Sequence, residues 1–566
     1  MPSASPRRNR RISSASLLAS FAVAVSQEVR RVLREAEAEG LAGDTAAALT
    51  RLRAAAAALP DGADGDRVAI GELALVVSAW ADEVPACNGF LEELADQVRT
   101  PGARGALYFH RGRGSMTPDH AHFLTQALTE FTIAGDLRGR AVTLGQMCWP
   151  TEAPVGSEHR IRVGQEGLAL AKELGDPWAI AFCAGRLAGC ETYLDVPGAL
   201  DHWREAAQVL PTSPDSVTAE IASLNQYNWG LTALGHGDYP LARQVLEEGR
   251  ALAHGAGWRR RYDEAAAVVA WRRGDHERAA ATAGAVYAGA GEGGHIAGLV
   301  LGALQLEAER QPDTALVDDA VRMIRYDEQM RWLALAVQAR LRVHRAEPAP
   351  LRDLPAVIDA AERTRTRLGW EDVMLVMAEH EPDLARDALA RLAPLWPSYP
   401  RGRAVRQMLD GLLAGPRGYD DLRAAAAQFL TFPEPVTAGH ALHAAARVAP
   451  SVAEGNQLRR EAIGHFQAAG ADRSLATVLR DRALHRGSGH VPVPENLRQS
   501  ASAGLTPRER EVASLAAWGL TAQEIADELT ISVATARHHL FRVRQKFGGI
   551  PKRKLALLLA ARDARP

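Results

Sequence analysis

The chain has 566 residues, 47% of them hydrophobic, with 66 Lys or Arg against 68 Asp or Glu, enough for three or four units, each with its own core, in a large soluble protein. No run of about eighteen uninterrupted apolar residues is present, which excludes a membrane-spanning helix, and four scattered cysteines, Cys87, Cys148, Cys183 and Cys190, exclude a disulfide framework and read as reduced thiols in a cytoplasm. The net charge of −2 conceals an asymmetry, since residues 503–566 hold eleven Lys or Arg against six Asp or Glu, a net +5 that leaves −7 elsewhere, so a polyanion would bind the basic end.

In chain order, Arg7, Arg8, Arg10 and Arg11 precede the apolar run Leu17 to Val25. The pattern imitates an export leader, but the run is short, and residues 1–26 read as a disordered basic tail. From Val29 to Leu484 the sequence is helix after helix, rich in Ala, Leu, Arg and Glu, punctuated by Gly and Pro and almost without alternating β-branched runs. The fold class is therefore all-α. A weak internal repeat runs through it: Gly43-Asp44 is followed by Ala48, Gly237-Asp238 by Ala242 and Gly274-Asp275 by Ala279, with Asp195 and Ala199 in the same relation. Gly would end one helix in a left-handed conformation, Asp would cap the next, and Ala would let the two helices of a hairpin approach closely. Gly135-Asp136 and Gly175-Asp176 fit the pattern less well. These copies, Gly237 to Gly257 above all, resemble tetratricopeptide repeats.

Two interruptions suggest boundaries. Val98 to Pro118, rich in Gly, Arg and Pro, would separate an N-terminal helical segment, 27–118, from a main array, 119–485. Residues 486–503, with prolines that cannot continue a helix, form a linker to a C-terminal domain at 504–566.

That domain opens on Leu505-Thr506-Pro507-Arg508-Glu509, where Thr506 and Glu509 make a capping box and Pro507 suits the first turn. Val512, Leu515 and Ala516 face inward, and Trp518-Gly519 ends the helix. Thr521 and Glu524 repeat the box for a short second helix with Ile525, Ala526 and Leu529 on the same core. Ser532 caps a third helix whose apolar positions, Val533, Ala536, Leu540, Val543 and Phe547, recur at three, four, three and four. The opposite ridge is Ala534, His538, Phe541 and Gln545, flanked by Arg537 and Arg544 on one side and by Thr535, Arg542 and Lys546 on the other. A ridge of modest side chains between basic shoulders suits a major groove, with bases under the ridge and phosphates under the shoulders.

The string LTPREREV, followed by GLTAQEIADELTISVATARHHLFRVRQKFG, resembles the LuxR-type helix-turn-helix, including its Gly519, Glu524, Ile525, Ala526, Leu529, Ser532, Thr535, His539, Leu540, Lys546 and Gly548 positions. The resemblance implies double-stranded DNA as partner, with Arg537 and His538 at base-reading positions and Thr535, Arg542 and Lys546 near the backbone. Thr521 and Gln523, at the start of the second helix, are second-rank phosphate contacts. Ala534 and Phe541 depart from the family's polar or basic side chains at those places, which shifts readout toward thymine methyls. A fourth helix follows Pro551, and in this family it forms a dimer contact, which would use Leu555, Leu558 and Leu559 on an inverted repeat. The same leucines would equally close the domain's own core.

The long helical region lacks other signatures. Its only lysine is Lys172, with no glycine loop before it, so a nucleotide-binding P-loop is excluded, and a receiver domain has no strand-helix alternation to support it. Gly289, Gly291 and Gly294 spell a dinucleotide motif after helical sequence rather than a strand, and read as a loop. His120 with His122, and His440 with His443, lack a third metal ligand nearby. No catalytic residue, metal or cofactor is expected. With its junction at Phe466 to Leu484, the chain resembles the C-terminal portion of the large LuxR-family regulators called LAL proteins, without their ATPase domain. That resemblance implies a cytoplasmic, nucleoid-associated regulator, more in keeping with an activator, homodimeric on DNA, which contacts RNA polymerase and whose array senses an unknown protein or small-molecule effector. The alternative is an interaction scaffold localised to DNA. The cluster Trp258 to Tyr262 could line a site on the array, although a solvated helix face with two packed aromatics explains it better.

Overall fold

The computed structural model describes residues 25–81, 87–114, 120–149, 157–196, 198–209, 216–289, 294–308, 313–324 and 328–485, and in the C-terminal part residues 506, 508–509, 512–513, 516, 521–529 and 531–546. Among these there are helices and turns but no strand, in agreement with the all-α reading. The expected tail, the linker and Leu555, Leu558 and Leu559 lie almost wholly outside the described residues.

Twenty-five helices among the described residues, α1 (Gln27–Leu41) to α25 (Asp472–His485), build the array. The Gly-Asp pairs mark its hairpin turns. Gly43, Gly237 and Gly274 have φ of 90°, 86° and 73°, and the following Asp44, Asp238 and Asp275 accept the N–H groups of Ala47, Leu241 and Arg278 at 2.9, 3.1 and 3.2 Å. Ala48, Ala242 and Ala279 are completely buried. The two pairs that seemed poor matches are full copies: Gly135 and Gly175 are left-handed too, and Asp136 and Asp176 cap through Gly139 and Ala179. In these two the small buried residue stands three places after the Asp rather than four, which hid the match. Asp195 is a correction in the other direction. It is itself left-handed, with φ of 51°, its carboxylate accepts from the Ser398 N–H, and α10 (Ala199–Val209) starts beyond it. It caps nothing.

The helices form two layers. An inner row consists of α1, α3 (Asp64–Ala81), α5 (Pro101–Gly114), α7 (Leu137–Met147), α9 (Pro177–Tyr193), α11 (Ser216–His236), α13 (Gly255–Arg272), α15 (His295–Glu307), α17 (Glu328–His344), α19 (Glu371–His380) and α21 (Pro400–Ala414), each packed on the next. The even-numbered helices cover the outside, so α12 (Tyr239–Leu252) buries one stripe, Tyr239, Ala242, Val245, Leu246 and Gly249, while α9 is buried at almost every position. The winding is tight. α3 touches α13, α11 touches α21 and α15 touches α25, always five hairpins on, and the Arg367 N–H reaches the Tyr193 carbonyl at 2.7 Å. The inside of the array is thus filled where successive turns meet. Trp258 and Tyr262 belong to that filling: both are buried, bonded to Glu220 and to the Ser223 carbonyl at 2.6 Å each.

The described part of Val98 to Pro118, residues 98–114, does not interrupt the array. Residues 101–114 form α5, and one apolar cluster runs from Val29 to Leu341, because Ala103, Ala106, Leu107 and Phe109 are as buried as the residues on either side. A second cluster runs from Trp332 to Val478. α17 serves both, giving Met330, Leu333 and Val337 to the first and Trp332, Ala336 and Ala339 to the second. Beside it lies a buried ionic network. Arg401 donates to Glu434 at 2.7 Å and to Asp372 at 3.0 Å, Arg272 donates to Asp372 at 2.9 Å, and the Tyr239 and Tyr399 hydroxyls donate to Glu434 and Glu371. Burial pushes the Glu371 carboxyl up to about 7. Burial also raises Asp372, but Arg272 and Arg401 together outweigh it and hold that carboxyl well below the usual range.

Candidate nucleic-acid interface

The C-terminal elements are placed by short-range chemistry. The Thr506 N–H donates to Glu509 Oε2 at 2.8 Å while the Glu509 N–H donates to Thr506 Oγ1 at 3.3 Å, the reciprocal capping box the sequence predicts. The second helix, α26, is Ala522–Glu528. Arg508 donates to the Leu529 carbonyl at 2.8 Å at its end, and the Ile531 N–H turns back to the Ala526 carbonyl at 2.9 Å. Ser532 then accepts the Thr535 N–H at 3.0 Å and starts α27, Val533–Lys546. Val512, Ala516, Ile525, Ala526, Ala536 and Leu540 form one small core, with Leu529, Ile531 and Val533 packed against it. Val543 is also fully buried.

Burial of that stripe leaves the opposite side of α27 to solvent. Ala534, Thr535, Arg537, His538, Phe541, Arg542, Gln545 and Lys546 are exposed, and Arg544 is half-buried. Phe541 is 57% exposed, an unusual position for a large apolar ring on a small domain. Thr521 and Gln523 are also exposed at the start of α26. Thr535 shares a hydroxyl hydrogen bond with Ser532 at 2.7 Å.

The sequence pattern gave no sign that Lys546 pairs with Glu509. Its Nζ lies 2.5 Å from Glu509 Oε2, and Arg542 Nε is 3.8 Å from the other carboxylate oxygen. The Glu509 side chain is 2% exposed, and the Lys546 ammonium, followed by the Thr506 N–H, holds its carboxyl down to about 2. Lys546, expected beside a phosphate, therefore already has an anion within the domain. Arg537 and His538 stand on the free face.

Residues 503–558 match the family described as bacterial regulatory proteins, luxR family. The C-terminal domain is a LuxR-family helix-turn-helix. That domain makes the chain a DNA-binding transcription regulator, with a helical-repeat array before the DNA reader. No curated protein matches the chain. A solved structure titled "Structure of Naa15/Naa10 bound to HypK-THB" aligns over 92% of this chain and 79% of that one at 13% identity. Its TM-score, 0.23, is below the level at which two chains share a fold.

Three of the four histidines paired in the sequence, His120, His440 and His443, have structural partners. His120 Nδ1 lies 2.6 Å from the Gly112 carbonyl, His443 bonds Asp481 at 3.0 Å and His440 bonds Ser474 at 3.2 Å. Among the described residues no group of three His, Cys, Asp or Glu is arranged to hold a metal ion, and no helix is long and apolar enough to cross a membrane. Gly289 ends α14 (His276–Gly289) and Gly294 precedes α15 with φ of 79°, so those two glycines flank a connection between helices; Gly291 lies outside the described residues.

Proposed function

We propose that the protein is a cytoplasmic, sequence-specific transcription activator that binds an inverted repeat as a homodimer, contacts RNA polymerase, and is controlled through its helical array without catalysing a reaction. The observation that supports this best is the exposed face of α27, where Arg537, His538 and Phe541 project between the basic residues Arg542 and Arg544 while the other side is closed by the core. Arg537 is the guanine reader in this reading, and Ala534 and Phe541 meet thymine methyls. Thr521, Gln523, Thr535, Arg542 and Arg544 contact phosphates in this reading, and the dimer contact is assigned to Leu555, Leu558 and Leu559. The array responds to a protein or small-molecule signal and governs access to DNA.

Selection of bound duplexes from a random pool, with the full-length protein and with Arg537→Ala, tests the reading. It predicts an inverted repeat whose recovery requires Arg537 and whose affinity falls steeply with salt. A folded protein that enriches no motif, alone or with effector-containing cell extract, would remove sequence-specific regulation.

A further inference from the structure

Two of the four thiols lie side by side in the inner row of the array. Cys148 caps the end of α7, and Cys190 stands in the last turn of α9. These two helices pack so that residues 42 apart in the chain meet, as they do where the Cys183 thiol donates to the Ala141 carbonyl at 3.4 Å. Cys148, Cys190 and Leu194 form a small buried cluster of their own, with Ile161 and Val196 packed against it, and the two thiols are within hydrogen-bonding reach of each other. Cys183 belongs to the main core instead, two helical turns before Cys190.

The Cys148 thiol donates to the Gly145 carbonyl at 3.0 Å and packs on Gly164 of α8 (Ser157–Leu174), where a Cβ would stand 2.9 Å from the sulfur. Among the described residues no third His, Cys, Asp or Glu joins the pair to complete a larger ligand set, which leaves out ions that require four ligands, such as zinc. Two thiolates suit a soft ion that binds them in a line, and Cu(I) is the common biological ion of that kind. An ion held between two sulfurs takes the place of the thiol protons, so it needs a contact rather than a cavity. Burial, then the neighbouring Cys190, holds the Cys148 thiol well above the usual thiol range, while the positive charge of Arg186 acts in the opposite direction. The metal-free pair is therefore a pair of unreactive thiols, and a coordinating ion displaces their protons outright. Cys148 is followed directly by the partly exposed Trp149, so the pair stands one residue along the chain from the surface.

We propose that Cys148 and Cys190 form a two-coordinate site for a soft metal ion, Cu(I), which fastens the end of α7 to the end of α9. On binding, the two S–H bonds break and two Cu–S bonds form, two protons pass to solvent, and no electron is transferred. The product is a bis-thiolate with one net negative charge, which the nearby guanidinium of Arg186 offsets. As the site of a regulatory signal it rests on the reading of the array as a sensor; the binding itself does not.

The test uses the full chain, reduced and free of oxygen, titrated with Cu(I) supplied as its bicinchoninate complex. One ion per chain leaves the chelator, X-ray absorption shows two sulfur ligands on it, and the melting temperature rises with bound Cu(I). Cys148→Ala and Cys190→Ala each weaken the uptake by about 100-fold or more, since loss of a ligand exceeds loss of an outer-shell partner. Cys87→Ala and Cys183→Ala bind as the parent does. Cooperative melting of each metal-free variant separates a lost ligand from a lost fold, and either ligand variant suffices to decide. Absence of Cu(I) uptake at one per chain, undiminished uptake by a ligand variant, or displacement of the ion by zinc overturns the site. Duplex binding by the same sample separates the two failures: DNA binding without Cu(I) uptake removes the site and leaves the regulator, and the converse leaves the site and removes the regulator.

Discussion

Lys546 in the last turn of α27 donates to Glu509, 37 residues earlier, at 2.5 Å, so the end of the recognition helix is fastened to the start of the domain's first helix. The Glu509 carboxyl is held at about 2 instead of its ordinary 4.5. A depressed acid stabilises the fold when ionised: the contribution is complete above pH 4.5 and is lost as pH falls from there toward 2. Calorimetry of the full chain will show the C-terminal transition falling across that window, and falling less in Glu509→Gln. At neutral pH the same substitution releases Lys546 toward the phosphates, and the salt dependence of DNA binding will steepen by about one counterion. An unchanged slope would mean that Lys546 does not reach the backbone even when freed.

Readout by the exposed ridge divides between Arg537 and Phe541. Arg537→Ala will cost about 1–3 kcal/mol of discrimination at one base pair of each half-site and relax the preference there, without a uniform loss across sequences. Phe541 is tested on the DNA side. Replacing thymidine by deoxyuridine at the contacted position removes the methyl group and will weaken the parent protein but leave Phe541→Ala unaffected. Equal weakening of both would assign the methyl to another side chain.

The C-terminal site was legible because its determinants are local. Thr506 with Glu509 and Ser532 with Thr535 are three residues apart, and the burial of Ala536, Leu540 and Val543 follows from helical spacing alone. The Gly-Asp turns were legible for the same reason, although Gly139 and Ala179 disguised two of them. What the sequence could not reveal depends on contacts remote in the chain. The pairing of Lys546 with Glu509 joins two helices, the link from Tyr239 to Glu434 spans 195 residues, and the contact of α3 with α13 depends on the accumulated twist of five hairpins. Glycine and arginine at Val98 to Pro118 suggested a break because composition does not report that Phe109 and Leu107 join the common core.

The network beside α17 gives the array a pH response of opposite sign to that of Glu509. The Glu371 carboxyl, raised by burial to about 7, favours the folded state when protonated. Its contribution is full below the ordinary value near 4.5 and is lost as pH rises to 7, an effect of up to about 3 kcal/mol. The array will therefore melt at lower temperature at pH 8 than at pH 5, and Glu371→Gln will flatten that difference. Arg401→Ala tests the network differently: it removes the cation bonded to Glu434 and leaves Asp372 with Arg272, and denaturant titration will show a loss of about 3–5 kcal/mol. A loss below about 1 kcal/mol would mean that water or a neighbouring cation replaces the guanidinium.

Closure of successive turns predicts a sensitive point at Gly255. Its φ is +76°, and a Cβ placed there would lie 2.6 Å from the Cβ of Trp80, the C-terminal part of α3. Gly255→Ala must therefore strain its own backbone and also push α13 away from α3, two costs that act together. Gly284 in α14 is a matched control, because it is helical and a Cβ there meets nothing within 4 Å. Gly284→Ala will leave stability equal or slightly higher, by up to about 1 kcal/mol, whereas Gly255→Ala will lower it by more than about 2 kcal/mol. Equal behaviour of the two variants in denaturant titration would show that the turns of the array are not locked where α3 and α13 meet.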